Sequence, residues 1–211
     1  MQILNESNEG LYDARGKVKA LWCRAFKVNE MGKAGDAWTS LESAFAGNHP
    51  EFEAIDAPYH DLGHTLRATI CYAELVFKNL QTPDYGPLPL EIAELGFIAI
   101  LFHDTGYLKN KGDLNGTGAK YAFQHVERSQ AFANQWMLQH SFDQEARSAV
   151  QSMIQNTDFS KDTTPVLFTT SVHELVGCMV GTADVLGQMA SPDYITKLLL
   201  LHRAMIEALK Q

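Results

Sequence analysis

The sequence predicts an all-α protein. Apolar residues recur at three- and four-residue steps along almost the whole chain, a spacing that gathers them on one face of a helix. Alternating patterns of the β type are scarce, and only VLFTTSV (166–172) has a strand-like composition. The predicted helices span 11–27, 36–46, 62–80, 89–104, 118–139, 143–156, 171–190 and 192–209.

Local chemistry supports these elements in turn. The first, second and fifth carry Trp22, Trp38 and Trp136, whose large rings read as packing anchors. Asp61 precedes the third helix and can cap it. Pro89 suits the first turn of the fourth, where its missing N–H costs nothing. That fourth segment, ELGFIAILFHD (94–104), is nearly continuously apolar until His103-Asp104, which reads as a buried central helix delivering two polar side chains at its C-terminal end. His140 stands at the end of the fifth helix as a C-terminal cap. Met179 and Met189 in the seventh read as core, and Ser191-Pro192 reads as an N-cap followed by an N1 proline for the eighth. Two turn-rich loops remain: PDYGPLP (83–89), and TGYLKNKGDLNGTG (105–118), which follows His103-Asp104 directly and is placed to admit or cover a ligand.

A chain of 211 residues fits a single domain, with 1–54 as an N-terminal helical extension packed on a core formed by 55–205. With 17 basic and 25 acidic residues the formal charge is −8, which repels polyanions, and no Lys/Arg block marks a nucleic-acid footprint. The expected partner is a small phosphorylated molecule or nucleotide, with a second copy of the chain as a further candidate, and neither a nucleic-acid polymer nor a membrane. The opening MQILNESNEG lacks a basic start and an apolar core, and no run reaches about 18 apolar residues, so a cytoplasmic location is expected. Cys23, Cys71 and Cys178 are odd in number and far apart, and read as reduced core thiols.

The chemistry gathers at the end of the fourth helix. Burying an ionised Asp is costly unless a cation or strong donors meet it, so His103-Asp104 reads either as half of a metal site or as a buried His–Asp hydrogen bond. His64 in the preceding helix and Asp184, inside the apolar helix 171–190, are candidates to join it. Two imidazoles and two carboxylates suit Zn, Mn, Fe, Co or Ni better than a thiolate site or an all-oxygen calcium cage.

YHDLGH (59–64), FHDTGY (102–107) and TAD (182–184) together resemble the HD-domain superfamily of metal-dependent phosphohydrolases, whose ligand order is H…HD…D. The histidine spacing of the first motif is also similar to that of the cyclic-nucleotide phosphodiesterases. HVERS (125–129), MIQNTDF (153–159) and ADVLGQMASPDY (183–194) look like a bacterial subgroup of small single-domain HD proteins, so the resemblance covers roughly 55–205. It implies a compact helical bundle with the metal between central helices. It also implies His64, His103, Asp104 and Asp184 as ligands, His60 as the histidine that meets the substrate, and Asp104 as the bridge to a weaker second ion such as Mg or Mn. His125 is the candidate to complete that second site or to contact substrate. Lys109, Lys111 and Arg128 are candidates for phosphate contact. The phosphodiesterase pattern HDxxHxGxxN is missing, since Tyr107 and Leu108 follow Gly106, so a cyclic-nucleotide substrate is not implied.

The expected function is hydrolysis of a phosphoester or phosphoanhydride, with metal-activated water as nucleophile, Asp104 at the reacting centre and His60 as general acid. The alternatives are a di-iron oxygenase of the same superfamily, disfavoured by the limited histidine supply, and a metal- or ligand-binding signalling module without turnover. A zincin-type peptidase is suggested only superficially by HDLGH, in which Asp61 replaces the glutamate that acts on water.

Overall fold

The structure is a computed structural model that describes residues 13–81, 86, 88–158 and 165–210. Among them the regular elements are helical: α1 (Ala14–Phe26), α2 (Lys33–Phe45), α3 (Leu62–Gln81), α4 (Leu90–Phe102), α5 (His125–Gln139), α6 (Gln144–Gln155), α7 (Ser171–Met189) and α8 (Tyr194–Ala208), with single 3-10 turns at Thr105–Tyr107 and Gly118–Tyr121. Most of the predicted loop 83–89, the first residues of the predicted first helix and Phe159 of the MIQNTDF motif lie outside the described residues.

Helix α4 is the axis of the bundle because its sequence is apolar on every side. Phe97, Ile98, Ala99, Ile100, Leu101 and Phe102 are all fully buried, and α4 touches α2, α3, α5, α6 and α7. Trp22 of α1 and Trp38 of α2 both meet the Phe97 ring, at 5.1 and 6.0 Å between centroids, so residues 14–45 contribute to the same core as the later helices. The closest helix pair is α3 with α7. Gly187 of α7 lies against the α3 backbone, where an added Cβ would stand 2.8 Å from Ala68 N. Gly96 of α4 has Tyr72 of α3 on one side and Val176 of α7 on the other, and Tyr72 Oη donates to Ala93 O at 2.8 Å. Small residues thus bring α3, α4 and α7 together.

Helix α8 is held differently. None of its described residues belongs to the main core; Ala208 joins a small apolar cluster with Ala57, Tyr107 and Ala122, and two polar clasps add to it: Lys197 Nζ lies 3.1 Å from Asp61 Oδ2, while Glu207 accepts from Thr117 N at 2.6 Å and from Thr117 Oγ1 at 2.9 Å. No helix is long and apolar enough to cross a membrane, among the described residues.

Several local expectations are corrected. The predicted helix 118–139 is broken, because Gly118 N is tied to Asp56 Oδ1 at 2.7 Å in a 3-10 turn and the α-helix begins only at His125. Pro89 stands before the first turn of α4, in extended geometry, and α2 begins at Lys33 after Gly32 at φ 54°. Helix α8 starts at Tyr194, since the Ser191 hydroxyl bonds to the Asp193 carboxylate instead of capping the helix as its N-cap. Residues 166–168 form no strand, and Thr170 caps α7 by accepting from His173 N. Cys178 is exposed and Met189 is 54% exposed, so neither is core, whereas Cys71 is buried. His140 does sit at the end of α5, stacked on Trp136 at 3.8 Å.

Gly187→Ala is expected to lower stability by about 1–3 kcal/mol through overpacking at the α3–α7 contact, measured by denaturant unfolding.

Candidate metal centre

Each element delivers its side chain for a local reason. Asp61 Oδ1 accepts from His64 N at 2.7 Å, starting α3 so that His64 occupies its first turn and faces inward. Helix α4 ends at Phe102, and Asp104 adopts φ −108°, ψ 5°, turning its carboxylate back beside His103. That turn is clamped from α5: Ser129 Oγ donates to His103 O at 2.5 Å and accepts from Gly106 N at 2.8 Å. Gly106 leaves no room for a Cβ against His125 O. Asp184 projects from the middle of α7.

Four donor atoms converge. His64 Nε2 lies 3.2 Å from His103 Nε2, 2.8 Å from Asp104 Oδ2 and 3.3 Å from Asp184 Oδ1. His103 Nε2 lies 3.2 Å from Asp104 Oδ2 and 3.3 Å from Asp184 Oδ1. Donors about 2.0–2.1 Å from one ion in tetrahedral array stand about 3.3–3.4 Å apart, close to the separation of the two imidazoles and of each carboxylate from them. His64, His103 and Asp104 form a buried group able to hold a metal ion, and Asp184 faces both imidazoles.

Protonation chemistry fits the same use. His103 Nδ1 is 2.7 Å from Ile100 O, which can only accept, so Nδ1 carries the proton and a neutral His103 directs its Nε2 lone pair at the cluster. Asp104 Oδ2 is buried without a properly directed hydrogen bond, although an imidazole nitrogen stands beside it. Burial pushes both imidazoles down, yet the facing carboxylates of Asp104 and Asp184 outweigh it, holding His64 above its ordinary value and His103 well above. Burial likewise pushes both carboxylates up, and His103 above all reverses this, leaving Asp104 and Asp184 well below the usual range.

The cluster lies at the base of a cavity of about 250 Å³. His60 lines it two residues before α3, its ring stacked on Tyr107 at 4.0 Å and 11° and centred 5.4 Å from that of His64. Its Nδ1 is buried without a partner, and burial pushes its imidazole down to about 3. His125 lines the cavity too, stacking on Tyr107 at 4.6 Å, with Nδ1 2.7 Å from Ala122 O.

The three basic candidates for phosphate contact are not brought there. Lys109 Nζ pairs with Asp56 at 2.7 Å and donates to Gly116 O; Lys111 Nζ donates to Glu53 and to Gly47 O. Arg128 donates to Gly106 O at 2.6 Å and Leu108 O at 2.5 Å, so its guanidinium fixes the loop after Asp104. Sequence reasoning missed Ser129, Tyr107 and Gln188. The available signal was their place inside the motifs FHDTGY, HVERS and ADVLGQMASPDY, since a serine or glutamine on a helix carries no periodicity of its own.

Comparison of the chain with protein-family models, with curated proteins and with solved structures returns no match.

The purified protein is expected to carry one tightly held transition-metal ion by elemental analysis, and His103→Ala and Asp184→Ala are each expected to lose it. Acid should release it. In the metal-free protein both imidazoles titrate above 6.5, so protons displace the ion as pH falls through that raised range, and an equilibrium metal titration should show weaker binding at pH 6 than at pH 8.

Proposed function

We propose that the chain is a metal-dependent hydrolase of phosphoesters or phosphoanhydrides, related to the HD-domain superfamily that its motifs resemble. The observation that carries this reading is the convergence of His64, His103, Asp104 and Asp184 on one point, with a further histidine, His60, on the wall of the same cavity. A divalent ion held by the four residues supplies a water of lowered pKa and neutralises charge on the phosphoryl group. Zn, Mn, Fe, Co and Ni all suit the donor set. Asp104 would be the residue to share with a weaker Mg or Mn ion, and His125 is a cavity-lining side chain that would help hold it.

The chain's own residues divide the remaining work. His60 is neutral in the resting site because burial disfavours its charged form. A phosphoryl dianion arriving beside it would reverse that balance, so the imidazole takes a proton from solvent as substrate binds and gives it to the leaving oxygen as the ester bond breaks. Tyr107 fixes the plane of that ring by stacking. Ser129 and Arg128 hold the turn that carries Asp104, keeping the carboxylate in place between substrate and solvent exchange.

His60→Ala is expected to retain metal and fold while losing on the order of 10²–10⁴-fold in turnover of esters with poor leaving groups, and much less for a nitrophenyl ester. Steady-state kinetics on both ester types, with metal content measured alongside, decides it. Loss of the ion would make His60 a ligand, and full activity on both esters would remove the acid role.

A further inference from the structure

The cavity above the four donors is built largely of carbon. Phe123, Val185, Met189, Leu201 and Met205 form much of its wall, and Phe123 and Met189 are half exposed, so apolar surface faces water there. The charged side chains among the described lining residues, apart from the histidines, are Asp104, Asp158 and Asp184, all carboxylates. Among the described residues, the nearby lysines and Arg128 are engaged elsewhere: Lys109 with Asp56, Lys120 with Asp113 at 2.6 Å, Lys197 with Asp61 and Arg128 with backbone carbonyls, while Arg67, buried in α3 with Nε and Nη2 lacking hydrogen-bond partners, is not part of the lining. Gln188 adds a neutral polar contact, buried on the cavity wall with Nε2 lacking a hydrogen-bond partner.

We infer that the site takes a substrate with a single phosphoryl group on a small, mostly apolar body and discriminates against polyphosphates. The identity of the anionic group rests on the phosphohydrolase reading; the shape and polarity of the rest come from the cavity. One phosphoryl group can be neutralised at the metal cluster. A second or third would meet carboxylates and hydrocarbon, where an uncompensated charge is costly to desolvate. A volume of about 250 Å³ is below the roughly 300–1,000 Å³ of pockets for drug-sized ligands, which favours a body of about one ring. Covering Phe123 and Met189 returns the free energy of apolar burial to binding, while Gln188 Nε2 is a donor that an acceptor on the body would satisfy.

Calorimetric titration of the metal-loaded full chain with phenylphosphonate, methylphosphonate and pyrophosphate tests this without requiring turnover, with ion content measured again afterwards. Phenylphosphonate is expected to bind at least about tenfold more tightly than either of the others. Phe123→Ala should shrink its advantage over methylphosphonate, and Met205→Lys should shrink its advantage over pyrophosphate. Both positions are partly exposed, so neither variant is expected to unfold the protein. Equal or tighter binding of methylphosphonate or pyrophosphate, or binding of none of the three, overturns the inference. Phenyl phosphate assayed in parallel separates the two readings: the binding preference without hydrolysis would sink the hydrolase and leave the selectivity standing, whereas faster hydrolysis of pyrophosphate would do the reverse.

Discussion

Two imidazoles and two carboxylates pressed together inside an apolar bundle set the terms for the rest of the structure. Each ion taken from water costs several kcal/mol, and mutual attraction repays this only when the geometry is held closely. The donors come from α3, from the turn that follows α4 and from α7, so the arrangement exists only if these three helices keep their spacing. Gly187 against Ala68 and Gly96 between Tyr72 and Val176 give these helices their close approach, and the fully apolar α4 gives them a shared surface to pack on. The core therefore acts as a jig for four side chains.

The end of α4 needs more than packing, because a helix terminus leaves carbonyls without partners. Here His103 and Thr105 meet Ile100 O and Phe102 O within the turn, and α5 meets the carbonyls that follow. Ser129 and Arg128 bond to His103 O, Gly106 O and Leu108 O, which fixes the turn carrying Asp104 and sets His125 at the cavity edge in the same stroke. A cation near a presumed anion site thus turns out to serve the backbone, which explains why counting basic residues around the motif misdirects attention to Lys109, Lys111 and Arg128.

The helical class and most of its elements were legible because apolar periodicity is a direct record of burial, and the run 94–102 announced a central helix through the absence of a polar face. The four donors could be selected because polar residues inside apolar helices need partners. The break at 118–124 was hidden, since the tie between Gly118 and Asp56 joins residues 62 positions apart and leaves no local trace. Met189 was misjudged for a related reason: a methionine at helical spacing looks the same whether it faces a core or a cavity. Residue type and spacing register burial well, but which of two neighbours a side chain turns toward is settled by tertiary contacts alone.

Helix α8 gives the cavity a wall with a different kind of cohesion from the rest of the bundle. It supplies Leu201 and Met205 to the lining but none of its described residues to the main core, and its Lys197–Asp61 and Glu207–Thr117 clasps are polar. Opening it would break these charge-assisted contacts and the small apolar cluster of Ala208 with Ala57, Tyr107 and Ala122, while leaving the main core covered, which is the character of a segment of low local stability. Asp61 belongs to both wall and cluster, since the same carboxylate that receives Lys197 also starts the helix bearing His64. The cavity wall and the turn that bears His64 therefore share one carboxylate, so a change at Asp61 acts on both.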